Sequence, residues 1–259
     1  MQNAAKFREK IAHGQVCYGS YITCTDPTIT EALTSISDFV WIDTEHNALT
    51  LETVQGHLMA TRGSETATLV RVPWNDPVLI KPVLDIGADG VIVPLVRTAD
   101  DVRRAVAACR YPPEGIRGFG PRRASAYGRL SGPEYCRLAN ENIICVVQIE
   151  HIDAVNNLDA ILAVPGLTSI VLGPQDLAGS MGHMGQPTHP EVLKAMEHVV
   201  AKTRQTSVWA SVSVGGGPDD FAGWVRRGVQ WIGISGDIAY MLSAARQMTE
   251  QTRARLEAG

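Results

Sequence analysis

Along the chain, short apolar runs alternate with stretches in which apolar residues recur at helical spacing. Eight of the runs are bounded by turn or cap residues, which is typical of strands. The predicted strands cover residues 16–23, 39–43, 67–72, 90–94, 143–149, 168–172, 208–214 and 231–235. The predicted helices cover residues 30–37, 51–61, 77–86, 98–109, 190–203, 218–227 and 238–256.

The predicted strands are apolar at nearly every position, which favours burial on both faces of a parallel sheet. The length of 259 residues fits a (β/α)8 barrel, which typically needs ~250. We therefore predict an α/β fold, a single (β/α)8 TIM barrel domain over residues 1–259. A doubly wound open sheet is the structural alternative. The longest irregular stretch, residues 111–129, is expected to be functional or mobile.

The composition indicates which partners the protein lacks and in which compartment it is expected. Net charge is -4 and the charges of both signs are interspersed, so no nucleic-acid partner is expected. No apolar run is long enough to span a membrane, so no membrane partner is expected either. The five cysteines form no CxxC pair, which favours a reducing compartment. We expect a soluble, cytoplasmic protein.

Two carboxylates follow neighbouring predicted strands. Glu150 ends the fifth strand, and Asp176 comes just after the sixth. Because the carboxyl ends of all barrel strands meet at one mouth, these side chains suit a divalent cation such as Mg²⁺, Mn²⁺ or Co²⁺. The alternative is that Glu150 pairs with a cationic side chain and Asp176 caps the next helix.

Further charged residues follow the second and third strands. Asp43 and His46 suit a carboxylate–imidazole dyad for proton transfer, and the alternative is a surface loop histidine. Arg71 suits an enolate or carboxylate oxygen, and the alternative is a salt bridge across the barrel mouth. Glu45 is expected to be a solvated or loop-stabilising acid.

Backbone groups and the other ionisable residues complete the prediction. The run from Gly173 to Gln175 is expected to open a helix whose free N–H groups suit a carboxylate. No lysine ends a strand, which argues against a lysine-dependent aldolase. Asp85 and Asp89 are expected at the opposite end of the barrel with structural roles, and the alternative for Asp85 is contact with a partner chain.

The histidines other than His46 are given no catalytic role. His13, His57 and His198 fall within helical patterns and are expected at the surface. His183 and His189 follow the sixth strand, where they border the pocket without a ligand spacing that links them.

Five segments carry a resemblance to a known family, in order from about residue 15 to 240. The chain resembles the HpcH/HpaI class II pyruvate aldolases, lyases with a barrel of the phosphoenolpyruvate/pyruvate type. Arg-Tyr-Pro-Pro-x-Gly-x-Arg-Gly and Gly-Pro-x-Asp-Leu together form a specific signature. The matching segments are residues 41–46, 70–81, 110–118, 147–150 and 172–178.

The resemblance implies that a bound divalent metal helps to cleave 4-hydroxy-2-oxo acids into pyruvate and an aldehyde through a metal-bound enolate. It implies a hexamer with an exchanged C-terminal helix. It also implies a role for each site residue: Glu150 and Asp176 bind the metal, Arg71 holds the 2-oxo group, His46 paired with Asp43 is the acid/base, Gln148 lies near the metal waters, and the N–H groups of Gly173 and Gln175 receive the pyruvate carboxylate.

The chain also departs from the family pattern as the resemblance presents it. Thr44 and Gln175 stand where members often carry Gly and Ala, and residues 118–125 form a shorter, more basic loop. Arg122 and Arg123 in this loop either bind an acidic or polyhydroxylated tail or form salt bridges between subunits. The competing functions are a CoA-ester lyase of the citrate-lyase β type and a non-catalytic barrel used for binding.

Overall fold

The structure is a computed structural model that describes residues 2–257, in which eight parallel strands close into a barrel. The strands follow chain order around the barrel, and pairing of the first with the last completes the closure. The predicted TIM barrel is confirmed and the open-sheet alternative is wrong. The outer limits of the predicted domain, residues 1 and 259, lie outside the described residues. The strands are β1 (Cys17–Ile22), β2 (Phe39–Asp43), β3 (Ala67–Arg71), β4 (Gly90–Val93), β5 (Ile144–Ile149), β6 (Ser169–Leu172), β7 (Trp209–Val212) and β8 (Trp231–Gly236).

Helices cover the outside of the barrel, and most agree closely with the predicted ranges. They are α1 (Gln2–Ala12), α2 (Pro27–Leu33), α3 (Leu51–Ala60), α4 (Pro77–Asp85), α5 (Ala99–Cys109), α6 (Gly132–Asn142), α7 (Ile152–Asn156), α8 (Leu158–Leu162), α9 (Pro174–Ser180), α10 (Pro190–Thr203), α11 (Pro218–Arg227) and α12 (Asp237–Glu257). The start of the sequence, which is polar and helix-like, forms α1. The sequence did not predict α6, α7 or α8. The helix expected to open near Gly173 is α9, so that prediction is confirmed.

Helix α2 begins earlier than predicted, at residue 27 instead of 30. The Asp26 carboxylate accepts a hydrogen bond from the backbone N–H of Thr28 at 2.9 Å, and Pro27 occupies the first helical position. An aspartate cap followed by proline is a strong start signal. The helix therefore starts where its cap lies, at Asp26 and Pro27, and not at the first apolar residue with helical spacing.

Helix α1 closes the amino-terminal end of the barrel. Phe7 is buried there and packs edge-on against Phe39 and Trp231, with ring centroids 5.7 Å and 6.4 Å away. Asp89 accepts hydrogen bonds from the backbone N–H groups of Ala4 and Thr68 at 3.1 Å and 3.0 Å, which anchors the helix to the sheet. The structural role expected for Asp89 is confirmed.

Asp85 forms an ion pair within its own chain, 2.8 Å from Nη2 of Arg117. The Arg117 side chain is fully buried beneath the irregular stretch and lies over the ring of Tyr111. Asp85 therefore also has the structural role that we expected.

His57 is not at the surface, and that prediction is wrong. His57 belongs to α3, and its side chain is fully buried against α2 and the loop after β1, with Nδ1 2.8 Å from Thr30 Oγ1 and Nε2 3.1 Å from the Cys24 carbonyl. Burial lowers the pKa of His57, since the charged form loses its hydration. His13 and His198 are exposed, as expected. Within residues 2–257, no helix combines the length and the apolar character needed to cross a membrane.

Candidate active site

Arg71 lies at the centre of a charged network at the carboxyl ends of β2 and β3. The two strands pair so that Asp43 lies opposite Arg71. Nε of Arg71 donates to Asp43 Oδ1 at 2.8 Å, and Nη1 lies 3.0 Å from Glu45 Oε2 without hydrogen-bond alignment. The guanidinium also lies over the Trp41 ring, 5.4 Å from its centroid. These contacts hold the guanidinium in one orientation.

Gln148 connects Arg71 to Glu150 at the end of β5. Nη1 of Arg71 donates to Gln148 Oε1 at 3.4 Å, and Nε2 of Gln148 donates to Glu150 Oε2 at 2.7 Å. The described hydrogen bonds include none from Nη2 of Arg71, so this group remains available to a ligand. The salt bridge that we considered for Arg71 is present, and it leaves part of the guanidinium free.

Glu150 is a buried carboxylate, with 3% of its surface exposed. Its Oε1 accepts a hydrogen bond from the backbone N–H of Leu95 at 2.7 Å. Burial raises the pKa of Glu150 to about 7, opposed by that hydrogen bond and reinforced by the negative charges of Glu45 and Asp176. A bound cation would compensate the negative charge of this buried acid and of the acids near it.

Gly173 makes room for the Glu150 carboxylate. A Cβ at this position would lie 2.5 Å from Glu150 Oε2, well inside van der Waals contact. The backbone N–H of Gly173 donates to the Ile149 carbonyl at 3.3 Å. It is therefore not the free donor that we expected, because pairing of β5 with β6 continues past the last residue of β6.

Asp176 lies in the first turn of α9, on the same end of the barrel as Glu150, and is exposed. Gln175 beside it is also exposed. The N–H groups of Gln175 and Asp176 belong to the first helical turn, which has no intrahelical partner for them. Of the two backbone donors predicted for a ligand carboxylate, only Gln175 remains available.

His46 and Asp43 do not form the hydrogen-bonded dyad that we expected. The Asp43 carboxylate instead accepts hydrogen bonds from Arg71 Nε, from the backbone N–H of Glu45 at 3.1 Å and from Nδ2 of Asn47 at 2.6 Å. Nε2 of His46 lies 3.6 Å from Glu45 Oε2, and its side chain is 64% exposed. Glu45, rather than Asp43, is thus the carboxylate in contact with His46.

Glu45 is the site residue whose position the sequence analysis missed. Its side chain is only 13% exposed and contacts both Arg71 and His46. Burial raises the pKa of Glu45, and the Arg71 charge opposes that shift. The sequence does contain a signal for this position. Glu45 follows Asp43 by two residues, and Arg71 lies opposite Asp43, so both acids can contact the same guanidinium.

The donor set fits a hard divalent cation. The negative charges of Glu45 and Asp176 raise the pKa of the buried Glu150. Carboxylate oxygens are the ligands that Mg²⁺ and Mn²⁺ prefer. Glu150 and Asp176 are the carboxylates that could hold such an ion, since Glu45 contacts Arg71.

Comparisons with known proteins agree with this architecture. Residues 18–244 match the profile of the HpcH/HpaI aldolase/citrate lyase family. The chain is 36% identical over 252 residues to a 5-keto-4-deoxy-D-glucarate aldolase of Klebsiella pneumoniae, covering 95% of both chains.

Solved structures show the same similarity. An HpcH/HpaI aldolase/citrate lyase family protein from Burkholderia cenocepacia superposes with a TM-score of 0.90 at 31% identity, covering 97% of this chain and 99% of the other. The citrate synthase SbnG superposes with a TM-score of 0.85 at 30% identity, covering 98% and 100%. The resemblance inferred from the sequence is confirmed: the chain belongs to the HpcH/HpaI aldolase/citrate lyase family, a family of carbon–carbon lyases.

Proposed function

We propose that this protein is a divalent-metal-dependent aldolase that cleaves, or forms, 4-hydroxy-2-oxo acids, with pyruvate and an aldehyde as the other partners in the reaction. The observation that carries this proposal is the continuous network from Asp43 and Glu45 through Arg71 and Gln148 to the buried Glu150. It places a fixed cationic donor beside a carboxylate that suits a metal.

Glu150 and Asp176 would hold the ion, which is Mg²⁺, Mn²⁺ or Co²⁺ in this proposal. When bound, the ion supplies Lewis acidity to the 2-oxo group of the substrate. Gln148 contributes by holding Glu150 Oε2 with its amide at 2.7 Å. An amide that donates to a ligating carboxylate in this way keeps the carboxylate in position.

Arg71 binds and stabilises the reacting oxygen. Its free Nη2 donors face the negative charge that develops on the 2-oxo oxygen when the C3–C4 bond breaks. Asp43 and Glu45 keep the guanidinium fixed, so that little reorganisation is needed during the reaction. The N–H of Gln175 receives the substrate carboxylate at the start of α9.

His46 moves the proton. In the cleavage direction it removes the proton from the 4-hydroxyl, the C3–C4 bond breaks, and the bonding electrons form the enolate of pyruvate. The aldehyde leaves, and the same proton is returned to C3. Glu45 Oε2 lies 3.6 Å from Nε2 of His46, where its negative charge faces the imidazole as the ring takes up the proton.

The substrate class that we propose is a hydroxylated 2-oxo acid, by analogy with the relatives named as 5-keto-4-deoxy-D-glucarate aldolases. Supporting this, the mouth carries a hydroxyl pair, with the Tyr21 hydroxyl 3.1 Å from Ser213 Oγ. Arg123 is less suited to hold a substrate tail, because it donates to the carbonyls of Ile86 and Leu58 in its own chain. Arg122 is exposed.

The function is tested by proton exchange at the methyl group of pyruvate in D₂O, followed by NMR. We expect exchange only when metal-stripped protein is supplied with Mg²⁺, Mn²⁺ or Co²⁺. In His46→Gln the exchange rate should fall about 100-fold, the scale of lost acid–base catalysis, while metal affinity is retained. Folded protein that exchanges no protons with any of these metals would contradict the proposal.

The similarity to a citrate synthase supports a second candidate, carbon–carbon bond formation with a carboxylated acceptor. A CoA-ester lyase belongs to the same alternative. Turnover of such substrates by protein that leaves pyruvate unexchanged would favour it. A non-catalytic barrel would be favoured if the protein bound no divalent metal at Glu150.

We also propose that α12 is exchanged between subunits in a hexamer. Within the described chain, Asp237 is the only buried residue of this 21-residue helix. Its exposed residues include apolar side chains, and beside it lies a groove of about 450 Å³ lined by Tyr18, Phe221 and Tyr240 among others. The exposed apolar residues of α12 are Ile238, Met241, Leu242, Met248 and Leu256.

Removing residues 241–259 tests the exchange. We expect the shortened chain to be a monomer, because the groove of each copy then receives no apolar helix from a second copy. Light scattering after size-exclusion chromatography measures the mass. A hexamer that survives the truncation would contradict helix exchange, and a monomeric full-length protein would contradict the assembly itself.

A further inference from the structure

A cluster of three metal-binding side chains lies outside the proposed active site, on the loop after α9 and the first turn of α10. Among residues 2–257, His183, His189 and Glu191 form the one group of three such residues with ligand atoms all within 4.8 Å of one another. We propose that this cluster is a second divalent-metal site, suited to a borderline cation such as Zn²⁺. The proposal does not depend on the function proposed above.

The loop that carries the two histidines is held by its own backbone. The N–H of His183 donates to the Ala178 carbonyl at 2.7 Å, the N–H of Gln186 to His183 at 2.9 Å, and the N–H of His189 to Gln186 at 3.0 Å. Gly182 and Gly185 turn the chain with φ of 83° and 77°, values that glycine adopts without strain. The loop therefore brings two residues that are six positions apart into contact.

The side-chain geometry is close to that of a ligand set. Nε2 of His183 lies 3.0 Å from Glu191 Oε2. Two ligands on a tetrahedral Zn²⁺ lie about 3.3 Å apart, given bond lengths of about 2.0 to 2.1 Å. Two imidazoles and one carboxylate, with water as the fourth ligand, form a common zinc set. The oxygen-only pair Glu150 and Asp176 differs in kind, because oxygen ligands suit harder ions.

Binding requires two changes. The proton between Nε2 of His183 and Glu191 Oε2 leaves this hydrogen bond, because a ligating nitrogen must offer its lone pair, and the ring of His189 turns. The rings of His183 and His189 are stacked, with centroids 3.6 Å apart and an interplanar angle of 17°, so their lone pairs run side by side instead of converging. Nδ1 of His189 also accepts the N–H of Glu191 at 3.3 Å, as the cap of α10. Rotation of the His189 ring breaks this long hydrogen bond and directs a nitrogen towards the other two ligands.

Binding would fasten the loop after α9 to the start of α10. His183 belongs to the loop, whereas Glu191 lies within the helix. The loop follows α9 directly, and α9 carries Asp176 in its first turn at the barrel mouth. A metal at this cluster would thus restrain the segment that connects α9 to α10.

The test uses the full-length protein with Asp176→Asn as background, which weakens the proposed active-site ligand pair, and Co²⁺ and Zn²⁺ as probes. We expect one equivalent of Co²⁺ to give the intense visible absorption of a four-coordinate ion, which six-coordinate oxygen sites lack. One equivalent of Zn²⁺ should displace it. Zn²⁺ should also raise the melting temperature, since the assembled cluster exists only in the folded chain.

Three variants and a matched control decide the assignment. His183→Asn, His189→Asn and Glu191→Gln should each weaken Zn²⁺ binding by more than about 10-fold, the least that lost outer-shell partners cost. Asparagine at position 189 keeps a helix cap, so a loss there is not a loss of α10. His198→Asn, an exposed histidine on the same helix, should bind normally. Absent four-coordinate Co²⁺ absorption, or equal affinity in all four variants, would overturn the proposal.

Discussion

Replacing Glu150 by glutamine is expected to abolish metal-dependent proton exchange from pyruvate, with a loss of at least about 1,000-fold, or about 4 kcal/mol of transition-state stabilisation. The amide keeps the shape of the side chain and accepts the Leu95 N–H bond, but it removes the buried negative charge. Exchange is measured by NMR at saturating Mn²⁺, and metal affinity is measured by calorimetry.

The pH dependence of metal binding provides the control. Because a cation binds the ionised carboxylate, protons compete with it below the raised pKa of about 7 of Glu150. Wild-type affinity should fall up to about tenfold per pH unit below that value and level off above it. The glutamine variant should lack this dependence. Unchanged exchange in the variant would show that Glu150 is not a metal ligand.

Replacing Arg71 by lysine is expected to lower the exchange rate about 100- to 1,000-fold while metal affinity stays close to that of the wild type. Lysine keeps the charge, but it cannot contact Asp43, Glu45 and a substrate oxygen at once. The size of the loss is that of one removed oxyanion donor. Steady-state exchange kinetics and metal titration together separate the two effects.

Arg97→Lys is the matched control for this substitution. Arg97 is exposed and follows β4 on the same end of the barrel, so the change should leave exchange within about twofold of the wild type. Equal losses in the two lysine variants would indicate a general electrostatic effect. A wild-type rate in Arg71→Lys would remove Arg71 from the reaction.

Much of the site followed from the strand pattern alone. Once β2, β3 and β5 are assigned, barrel geometry brings Asp43, Arg71 and Glu150 to one mouth, whatever the loops do. The hydrogen-bond network between these residues could not be predicted from the sequence. That Gln148 joins Arg71 to Glu150 depends on side-chain conformations, which periodicity does not encode.

The predictions that were wrong or missing concern residues in loops and residues whose partners are distant in the sequence. His57 has a helical pattern around it, but its burial depends on the carbonyl of Cys24, which belongs to the loop after β1. The contact between His183 and His189 depends on two left-handed glycines within a loop. Glu45 turns towards Arg71 because the opposing strand supplies a buried cation. The burial of His57 and the orientation of Glu45 depend on neighbouring elements, and the contact between the two histidines depends on the conformation of their loop.

Because α1 covers the amino-terminal end of the barrel, ligands can approach the site from the carboxyl ends of the strands. With Phe7 and its aromatic neighbours filling the amino-terminal end, everything that enters the mouth must leave by it. In the proposed aldol cleavage, the substrate and both products would therefore pass through the same opening beside Arg71 and Glu150.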